Sequence, residues 1–366
     1  MEPNCSGKRI MIDNAEEFPL RPKLLSLATA VPEHVLKTED VIVEANRIFG
    51  GRHEDFERMK PVYANSGINR RYSSVPYEWF REDKGWPERS EAFLAGASKI
   101  FAEASTKALE RANLAAAQID TIVMISSTGI ATPTIEARVM SDLGFRDNVK
   151  RVPVFGLGCA GGIAGLSLAA RLAAAEPGKN ILVVVIELCT LTFRADEMSK
   201  SNIIATALFG DGAAAAVVST SGQNAHGEIE FMGEHTWPGT VDIMGWRMDP
   251  EGFGAIFSRS IPELALRDLR PAADAFLAIH GLSLDDVDSY SFHPGGAKVI
   301  VALETAFSLE QGQLQNERKI LRGFGNMSAP TVLFVLEQGL QENTTGRRFV
   351  SALGPGFTAG FLTMLQ

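Results

Sequence analysis

The chain has 366 residues, of which 45% are hydrophobic and 22% charged, and its formal net charge at pH 7 is −9. This length and composition suit a globular α/β protein with one large core or two fused ones. The excess of acidic residues argues against nucleic acid as a partner, because binding to phosphates needs a basic surface.

The N-terminal residues and the cysteines bear on localisation. Met1–Pro19 mixes acidic and basic residues without a continuous apolar core, which is not the pattern of a signal peptide. Uninterrupted apolar runs such as Ile181–Ile186 are far shorter than the ~20 residues of a membrane span. Cys5, Cys159 and Cys189 are too few and too scattered for a disulfide framework, so we expect a reducing compartment. These patterns predict a cytoplasmic protein with no membrane span.

A group of basic residues interrupts this acidic chain between residues 52 and 71. Such a group is suited to receive a small polyanion such as coenzyme A, and a solvated charged face is the alternative. Its members are Arg52, Arg58, Lys60, Arg70 and Arg71.

Strand and helix patterns alternate along the first 220 residues. Apolar residues at helical spacing predict an amphipathic helix over Ser90–Ala112. Short apolar runs rich in β-branched residues predict buried strands, and an Ala-rich helix follows the second of them. The alternation predicts an α/β fold with a mainly parallel sheet and helices on both faces. In chain order these later elements are Ile119–Ser126, Val152–Phe155, the helix Gly162–Ala175, Ile181–Glu187 and Ala213–Ser219.

Two segments of the chain recur at an offset of about 168 residues and a third pair corresponds near the ends of the two halves, which indicates a duplicated α/β unit. We expect two halves, 1–220 and 221–366, that meet in the polar stretch Thr220–Ala225. Equivalent loops of a duplicated fold meet near its pseudo-axis, so residues far apart in sequence should share one site. Three pairs of segments match in the same order: Lys107–Gly129 with Asp274–Gly296, Gly156–Gly162 with Gly323–Ala329, and Gly210–Val218 with Gly354–Leu362.

Cys159 is the candidate nucleophile. It lies in the glycine-rich turn Phe155–Gly162, after a predicted strand and at the start of a predicted helix. A thiol in that position faces unpaired N–H groups and the positive end of the helix dipole, so we expect a lowered pKa. A free cysteine is otherwise usually a small buried hydrophobe, and the apolar setting of Cys189 fits that role better.

His293 and Asn326 are the candidate partners of Cys159. His293 follows a predicted strand in Phe292–Gly296, on a loop of the kind that forms active sites in α/β proteins. Asn326 lies in the rigid turn Gly323–Ser328, where the alternative is a simple helix N-cap. By the duplication, the loops of Cys159 and Asn326 are equivalent, so the three side chains are predicted to meet.

A dinucleotide-binding loop is the formal rival. Gly156, Gly158 and Gly161 follow a strand and open a helix, and the next strand ends in the acid Glu187. The interval to that acid is longer than the usual ~20 residues. A cysteine also occupies the spot where the pyrophosphate would lie, which disfavours this oxidoreductase interpretation.

Five motifs together resemble the chalcone synthase family, the type III polyketide synthases. They are GLGCAGG at Cys159, LFGDGAAAAVV beyond Phe209, FHPGG at His293, GFGNMS at Asn326 and the closing GPGFTAG. The resemblance runs from about Pro22 to the C-terminus. It implies a thiolase fold with α-β-α-β-α layers, a homodimer, coenzyme A thioesters as substrates, and no metal or redox cofactor. The related ketoacyl-carrier-protein synthases, the second alternative, have His-Gln-Ala-Asn after the histidine, which this chain lacks.

The resemblance implies roles for several residues. Cys159 matches the nucleophile that holds a starter acyl group, and His293 and Asn326 match its partners in malonyl-CoA decarboxylation. We expect Cys159 and His293 to rest as a thiolate–imidazolium pair. Phe209 matches the ring that separates the coenzyme A tunnel from the cavity.

Other matches concern substrate binding. Arg58 falls where the family has an arginine that contacts coenzyme A, although Asp55 and Asn65 replace the neighbouring lysines. Three further residues match positions that line the cavity: Ser127, Thr192 and Ser328.

Departures from the plant enzymes point to a subfamily. The second gatekeeping phenylalanine aligns with Ala255, a cavity threonine with Cys189, and the methionine that reaches into the partner's cavity with Thr132. These changes predict an apolar extension for a medium- or long-chain fatty acyl starter, whose product would be an alkylpyrone or alkylresorcinol. Trp246, which replaces a glycine, is the counter-evidence because an indole refills space.

Overall fold

The computed structural model describes residues 20–51, 56–223, 225–342 and 344–366. Within these residues the strands are β1 (Lys23–Ala30), β2 (His34–Lys37), β3 (Arg70–Ser73), β4 (Thr121–Ser126), β5 (Lys150–Phe155), β6 (Ile181–Leu188), β7 (Asp211–Ser219), β8 (Gly227–Thr236), β9 (Met244–Asp249), β10 (Gly252–Phe257), β11 (Ser289–Phe292), β12 (Arg347–Gly354) and β13 (Thr358–Leu365). The helices are α1 (Thr38–Phe49), α2 (Phe56–Met59), α3 (Pro61–Ala64), α4 (Trp86–Ala112), α5 (Ile135–Val139), α6 (Gly161–Ala175), α7 (Lys200–Leu208), α8 (Ile261–Ile279), α9 (Ala297–Ala306), α10 (Gln315–Phe324) and α11 (Thr331–Leu340).

The duplication predicted from the repeats is visible in the sheet. Nine strands pair in the order β11-β12-β13-β8-β1-β7-β6-β4-β5. In the first half β4 is parallel to β6, β6 is antiparallel to β7, and β7 is antiparallel to β1. In the second half β11, β12, β13 and β8 repeat those three relations in the same order. The halves join through two residue pairs between β1 and β8.

The prediction of a mainly parallel sheet is wrong. Of the pairings in this sheet, three are parallel and five are antiparallel. An apolar run reports that a strand is buried on both faces, but it carries no information on strand direction. The short connection between Gly354 and Thr358 also permits only an antiparallel pair of β12 and β13.

Three apolar cores join five layers of helix and sheet. On β6, Leu182 and Val184 face a core shared with α4, whereas Val183 and Val185 face a core shared with α6 and α11. On β12, Val350 faces that central core and Phe349 faces a third core, which includes α8 and α9. Alternation of side chains along each strand therefore gives the predicted order α-β-α-β-α.

One helical stretch, Gly158–Ala175, is long and apolar enough to cross a membrane, and 67% of it is buried inside the structure. This stretch includes α6, which lies in the central layer between the two half-sheets. A helix with sheet on both sides needs apolar residues all round, so its composition follows from its place in the core.

Candidate active site

Close packing of α6 against α11 brings the two halves of the site together. A Cβ atom at Gly162 would overlap the carbonyl oxygen of Ala329, and one at Gly161 would meet the Ala329 side chain at 3.2 Å. The small residues at the start of α6 thus let the beginnings of the two helices touch. Cys159 precedes α6 and Asn326 precedes α11, so this contact sets their separation.

The structure places Cys159, His293 and Asn326 on the wall of one cavity. All three side chains are buried, with exposed fractions of 8%, 6% and 1%. The remainder of the wall is mostly apolar and comes from the second half of the chain, with Met244, Phe257, Leu269, Val299 and Leu353 among its residues. Polar groups in such surroundings interact strongly, because little water competes with them.

The surroundings of the Cys159 thiol disfavour its charged form. Burial raises its pKa to about 12, although the Ser328 hydroxyl, whose Oγ lies 3.5 Å from Sγ, acts in the opposite direction. This shift is opposite in direction to the lowered pKa expected from the sequence. Desolvation of the charged form outweighs the favourable position at the start of a helix.

His293 is held by its backbone and leaves its ring free. Its N–H donates to the carbonyl of Ser351 at 2.9 Å, which attaches the loop to β12. Within the described residues, neither ring nitrogen has a hydrogen-bond partner. Burial lowers the pKa of His293 to about 4. Burial therefore moves the pKa of the thiol upward and that of the imidazole downward, and both shifts disfavour the expected thiolate–imidazolium pair.

The Asn326 side chain is locked by two hydrogen bonds. Its Oδ1 accepts from the N–H of Ser328 at 2.8 Å, and its Nδ2 donates to the carbonyl of Gly295 at 3.2 Å. The second hydrogen on Nδ2 is left for the cavity. Asn326 does not cap α11, because the residue at that position is Pro330.

Phe209 is attached directly to the Asn326 turn. The N–H of Gly210 donates to Asn326 O at 3.0 Å, and the N–H of Asn326 donates to Leu208 O at 2.8 Å. The Phe209 ring makes edge contacts with Trp246 and Phe257, at centroid distances of 5.9 and 6.3 Å. Phe257 belongs to the cavity wall, so Phe209 stands at the border of the cavity.

A second, apolar pocket opens on another side of Phe209. Cys189 and Thr192, two of the residues predicted to line the substrate cavity, are on its wall together with Phe209. It encloses about 580 Å³, open solvent at its mouth included. Its far wall is formed by α1, through Val41, Ala45, Ile48 and Phe49.

Ala255, where the sequence predicts an apolar extension, lies beside Trp246. Ala255 pairs with Trp246 across the β9–β10 hairpin, and directly paired residues share one face of a hairpin. The indole of Trp246 contacts both Phe209 and Phe253 on that face. Trp246 thereby replaces the bulk that Ala255 lacks, and the apolar space lies instead beside Cys189.

The fold gives the basic residues between positions 52 and 71 different surroundings. Arg71 is buried, with an exposed fraction of 4%, and donates to the carbonyl of Thr206, so it cannot receive a polyanion at the surface. Arg58 and Arg70 are exposed, and Lys60 bonds Asn46 and Glu57. Arg52 lies outside the described residues, as do Cys5 and Met1–Pro19.

Glu187 is the residue that the sequence did not identify as part of the site. It is fully buried at the end of β6, and its Oε2 accepts from the N–H of Ser127 at 2.9 Å. Ser127 Oγ in turn accepts from the N–H of Gly158, next to Cys159, at 3.0 Å. The sequence feature that could have identified Glu187 is an acidic residue at the end of an otherwise apolar strand. Across the described ranges, no group of three His, Cys, Asp or Glu side chains is arranged to hold a metal ion.

Comparison with known proteins agrees with this geometry. Two family models match, for the N-terminal domain of chalcone and stilbene synthases over residues 15–222 and for the C-terminal domain over residues 228–364. A putative chalcone synthase of Bacillus subtilis is 34% identical over 93% of this chain and 97% of its own. The 1,3,6,8-tetrahydroxynaphthalene synthase of Streptomyces peucetius is 34% identical over 92% and 91%.

A solved structure supports the same assignment. The 1,3,6,8-tetrahydroxynaphthalene synthase of Streptomyces coelicolor, described as a bacterial type III polyketide synthase, superimposes with a TM-score of 0.89. It is 28% identical, and the match covers 94% of this chain and 99% of that one. The predicted thiolase fold is confirmed, and the dinucleotide-binding and ketoacyl-carrier-protein alternatives lose their support. The chain belongs to the chalcone and stilbene synthase family and is a type III polyketide synthase, a condensing acyltransferase that uses coenzyme A thioesters and no further cofactor.

Proposed function

We propose that this enzyme extends a medium- or long-chain fatty acyl starter with malonyl-CoA and closes the product to an alkylpyrone or alkylresorcinol. The observation that carries the proposal is the pairing of a cavity containing Cys159, His293 and Asn326 with an apolar pocket across Phe209. A pocket with a mostly apolar wall across Phe209 from the proposed nucleophile favours a hydrocarbon chain over a polar starter.

Loading begins from the neutral pair. As Cys159 Sγ attacks the thioester carbon of the starter, the thiol proton passes to His293. The bond from that carbon to the sulfur of coenzyme A breaks, and the leaving thiolate takes the proton back from the imidazolium. The acyl group remains on Cys159 as a thioester, and free coenzyme A departs.

Chain extension uses the hydrogen-bond donors Asn326 and His293, which belong to the second half of the chain. The thioester oxygen of malonyl-CoA accepts hydrogen bonds from Asn326 Nδ2 and His293, where negative charge develops as carbon dioxide leaves. One such preorganised donor stabilises the transition state by about 3–4 kcal/mol. The apolar ring of Phe209 beside the carboxylate favours neutral carbon dioxide over the anion. The enolate carbon then attacks the thioester carbon on Cys159, the bond from that carbon to Cys159 Sγ breaks, and Cys159 leaves as a thiolate. The chain, now two carbons longer, is a thioester of coenzyme A, and it reloads onto Cys159 with release of coenzyme A before the next round.

The apolar pocket holds the growing alkyl chain. Each methylene moved from water into it contributes about 0.8 kcal/mol. Cys189 and Thr192 guide the chain past Phe209, and α1 limits its length. Ser127 and Ser328 lie on the polar side near Cys159, and Trp246 with Ala255 forms the hairpin wall. Arg58 binds the phosphates of coenzyme A at the surface.

A homodimer in the cytoplasm completes the proposal. β5 is an edge strand of the sheet, and its last residue, Phe155, has an exposed fraction of 46%. An unpaired edge that ends in an exposed aromatic ring is a natural place for a second copy to pair. The turn with Cys159 follows directly, so the partner would lie beside the cavity.

The test measures kcat/KM for acyl-CoA starters from two to eighteen carbons with malonyl-CoA, and identifies the products by mass spectrometry. We expect the value to rise with chain length up to the capacity of the pocket, and Ala45→Phe to shift the preference to shorter chains. Val43→Phe is the matched control, because Val43 lies on the exposed side of α1, with an exposed fraction of 65%.

Two outcomes would contradict the starter assignment. One is a product built from malonyl-CoA alone, such as tetrahydroxynaphthalene, at a higher rate than any alkyl product. The other is an unchanged chain-length profile in Ala45→Phe. Either result leaves the polyketide synthase assignment in place and removes the fatty acyl starter.

A further inference from the structure

Glu187 lies at the junction of three segments that surround the candidate nucleophile. Its Oε2 accepts from the N–H of Ser127, just after β4, and the following residue, Leu188, donates its N–H to Thr128 Oγ1 at 2.8 Å. The turn after β4 is thus attached twice to the end of β6. This attachment fixes the position of the Ser127 hydroxyl.

The Ser127 hydroxyl carries that constraint to Cys159. Ser127 Oγ accepts from the N–H of Gly158 at 3.0 Å. From the other side, a Cβ at Gly158 would meet the ring of Pro355 at 2.5 Å, and its φ is +49°. Gly158 is therefore clamped between Ser127 and Pro355, and Cys159 is the next residue.

The charge on Glu187 matters to the thiol. Its carboxyl group is fully buried, and within the described residues Oε1 has no hydrogen-bond partner. Burial raises the pKa of Glu187 to about 8. Burial raises the pKa of the thiols of Cys159 and Cys189, and an ionised Glu187 raises both further; Asp211 on β7 also raises the pKa of Cys189. A buried carboxylate here opposes thiolate formation, whereas a carboxylic acid does not.

We propose that Glu187 is a positioning residue, which holds Cys159 through Ser127 and Gly158. This inference rests on the proposed role of Cys159 as nucleophile. It adds that the same acid, once ionised at alkaline pH, opposes the thiolate it helps to place.

Two variants separate the two effects. Glu187→Gln keeps an oxygen for the Ser127 N–H and removes the charge, so acyl loading at pH 7 should stay within about twofold of wild type. The pH midpoint for alkylation of Cys159 by iodoacetamide should fall by at least about half a unit. Glu187→Ala leaves the Ser127 N–H unsatisfied, so single-turnover loading should drop about tenfold or more.

The matched control is Glu304→Gln. Glu304 is equally buried, but its carboxylate bonds the N–H groups of Gly312 and Leu314 and the Arg318 side chain, in another part of the fold. It should change neither loading nor the alkylation midpoint. If Glu187→Ala does not fold, Ser127→Ala removes the acceptor of the Gly158 N–H and should slow loading by itself.

Peptide mapping after alkylation distinguishes Cys159 from Cys189. An unchanged midpoint in Glu187→Gln, or equal loading by Glu187→Ala and wild type, would overturn the inference while the nucleophile stands. Acyl loading that persists in Cys159→Ala would instead overturn the proposed function. The two failures are therefore distinguishable in one set of experiments.

Discussion

In both halves of the molecule a buried glutamate accepts a hydrogen bond from the backbone where a strand runs into the cavity. Glu187 accepts from Ser127 after β4, and Glu317 accepts from Phe292 at the end of β11, each at 2.9 Å. Burial raises the pKa of the two acids to about 8 and about 7. The two halves thus stabilise equivalent strand ends with the same kind of group, although the glutamates come from different elements.

The halves differ in what they present to the cavity. Before α6 the first half presents a thiol, and before α11 the second half presents the amide of Asn326, locked by Ser328 and Gly295. The second half also supplies His293. Duplication provides two similar turns that meet at one place, and each turn can then carry a different chemical role.

The largest effect on activity should come from Cys159, the side chain that most distinguishes the two halves. Cys159→Ala should abolish the acyl-enzyme, because no other group at the cavity is proposed to hold the acyl chain. Cys189→Ala is the control and should load normally, since Cys189 is assigned only to the pocket wall. Intact-protein mass spectrometry after incubation with acyl-CoA decides this. An adduct at wild-type stoichiometry on Cys159→Ala would place the nucleophile elsewhere.

The second-largest effect should distinguish the hydrogen-bond donor Asn326 from the nucleophile Cys159. Asn326→Ala should slow decarboxylation of malonyl-CoA by about 10²–10³-fold, the usual cost of one lost oxyanion donor, and should affect starter loading much less. His293→Ala should impair both steps, because the imidazole also takes the thiol proton. Release of carbon dioxide and single-turnover loading are measured separately. Decarboxylation by Asn326→Ala at the wild-type rate would remove the donor role.

Strain at the two turns should be comparable. Gly158 and Gly325 have φ values of +49° and +71°, and an added Cβ would meet the Pro355 ring at 2.5 Å and the Leu208 carbonyl oxygen at 2.8 Å, respectively. Each substitution by alanine should lower the free energy of unfolding by about 1–3 kcal/mol, measured in urea. Gly144→Ala, at φ +77° with no neighbour within 4 Å, measures the backbone cost alone. Equal costs at all three positions would mean that the close contacts carry no constraint.

The smallest effect is on the pH dependence of stability. Glu317 keeps its proton in the folded chain up to a pKa of about 7, whereas the unfolded chain releases it near the ordinary value of 4.5. The bound proton therefore stabilises the folded chain at low pH, and the free energy of unfolding of wild type decreases as pH rises from about 4.5 to 7. Relative to wild type, Glu317→Gln should therefore become more stable as pH rises through that range. Glu187→Gln should do the same over a pH range that extends to about 8. Urea midpoints that differ from wild type by the same amount at pH 5 and pH 8 would contradict the raised pKa values.

Local sequence patterns predicted much of the fold because they depend on residues near one another in the chain. The apolar spacing gave α4 to within four residues at its start, and the short β-branched runs gave β4 and β6 to within two. The glycine-rich turn before α6 and the repeat of segments also predicted that Cys159 and Asn326 occupy equivalent turns. Such signals persist in the sequence because each element must bury its own apolar face.

Tertiary structure alone decided strand direction, protonation and the shape of the pocket. Strand direction depends on how connections cross the sheet, and a buried strand has the same composition in either orientation. The pKa of Cys159 is raised and that of His293 is lowered because packing removes water from both, which no local motif reports. Trp246 fills the face next to Ala255, and the open space lies beside Cys189, because cross-strand pairing and the position of α1 determine which side chains meet.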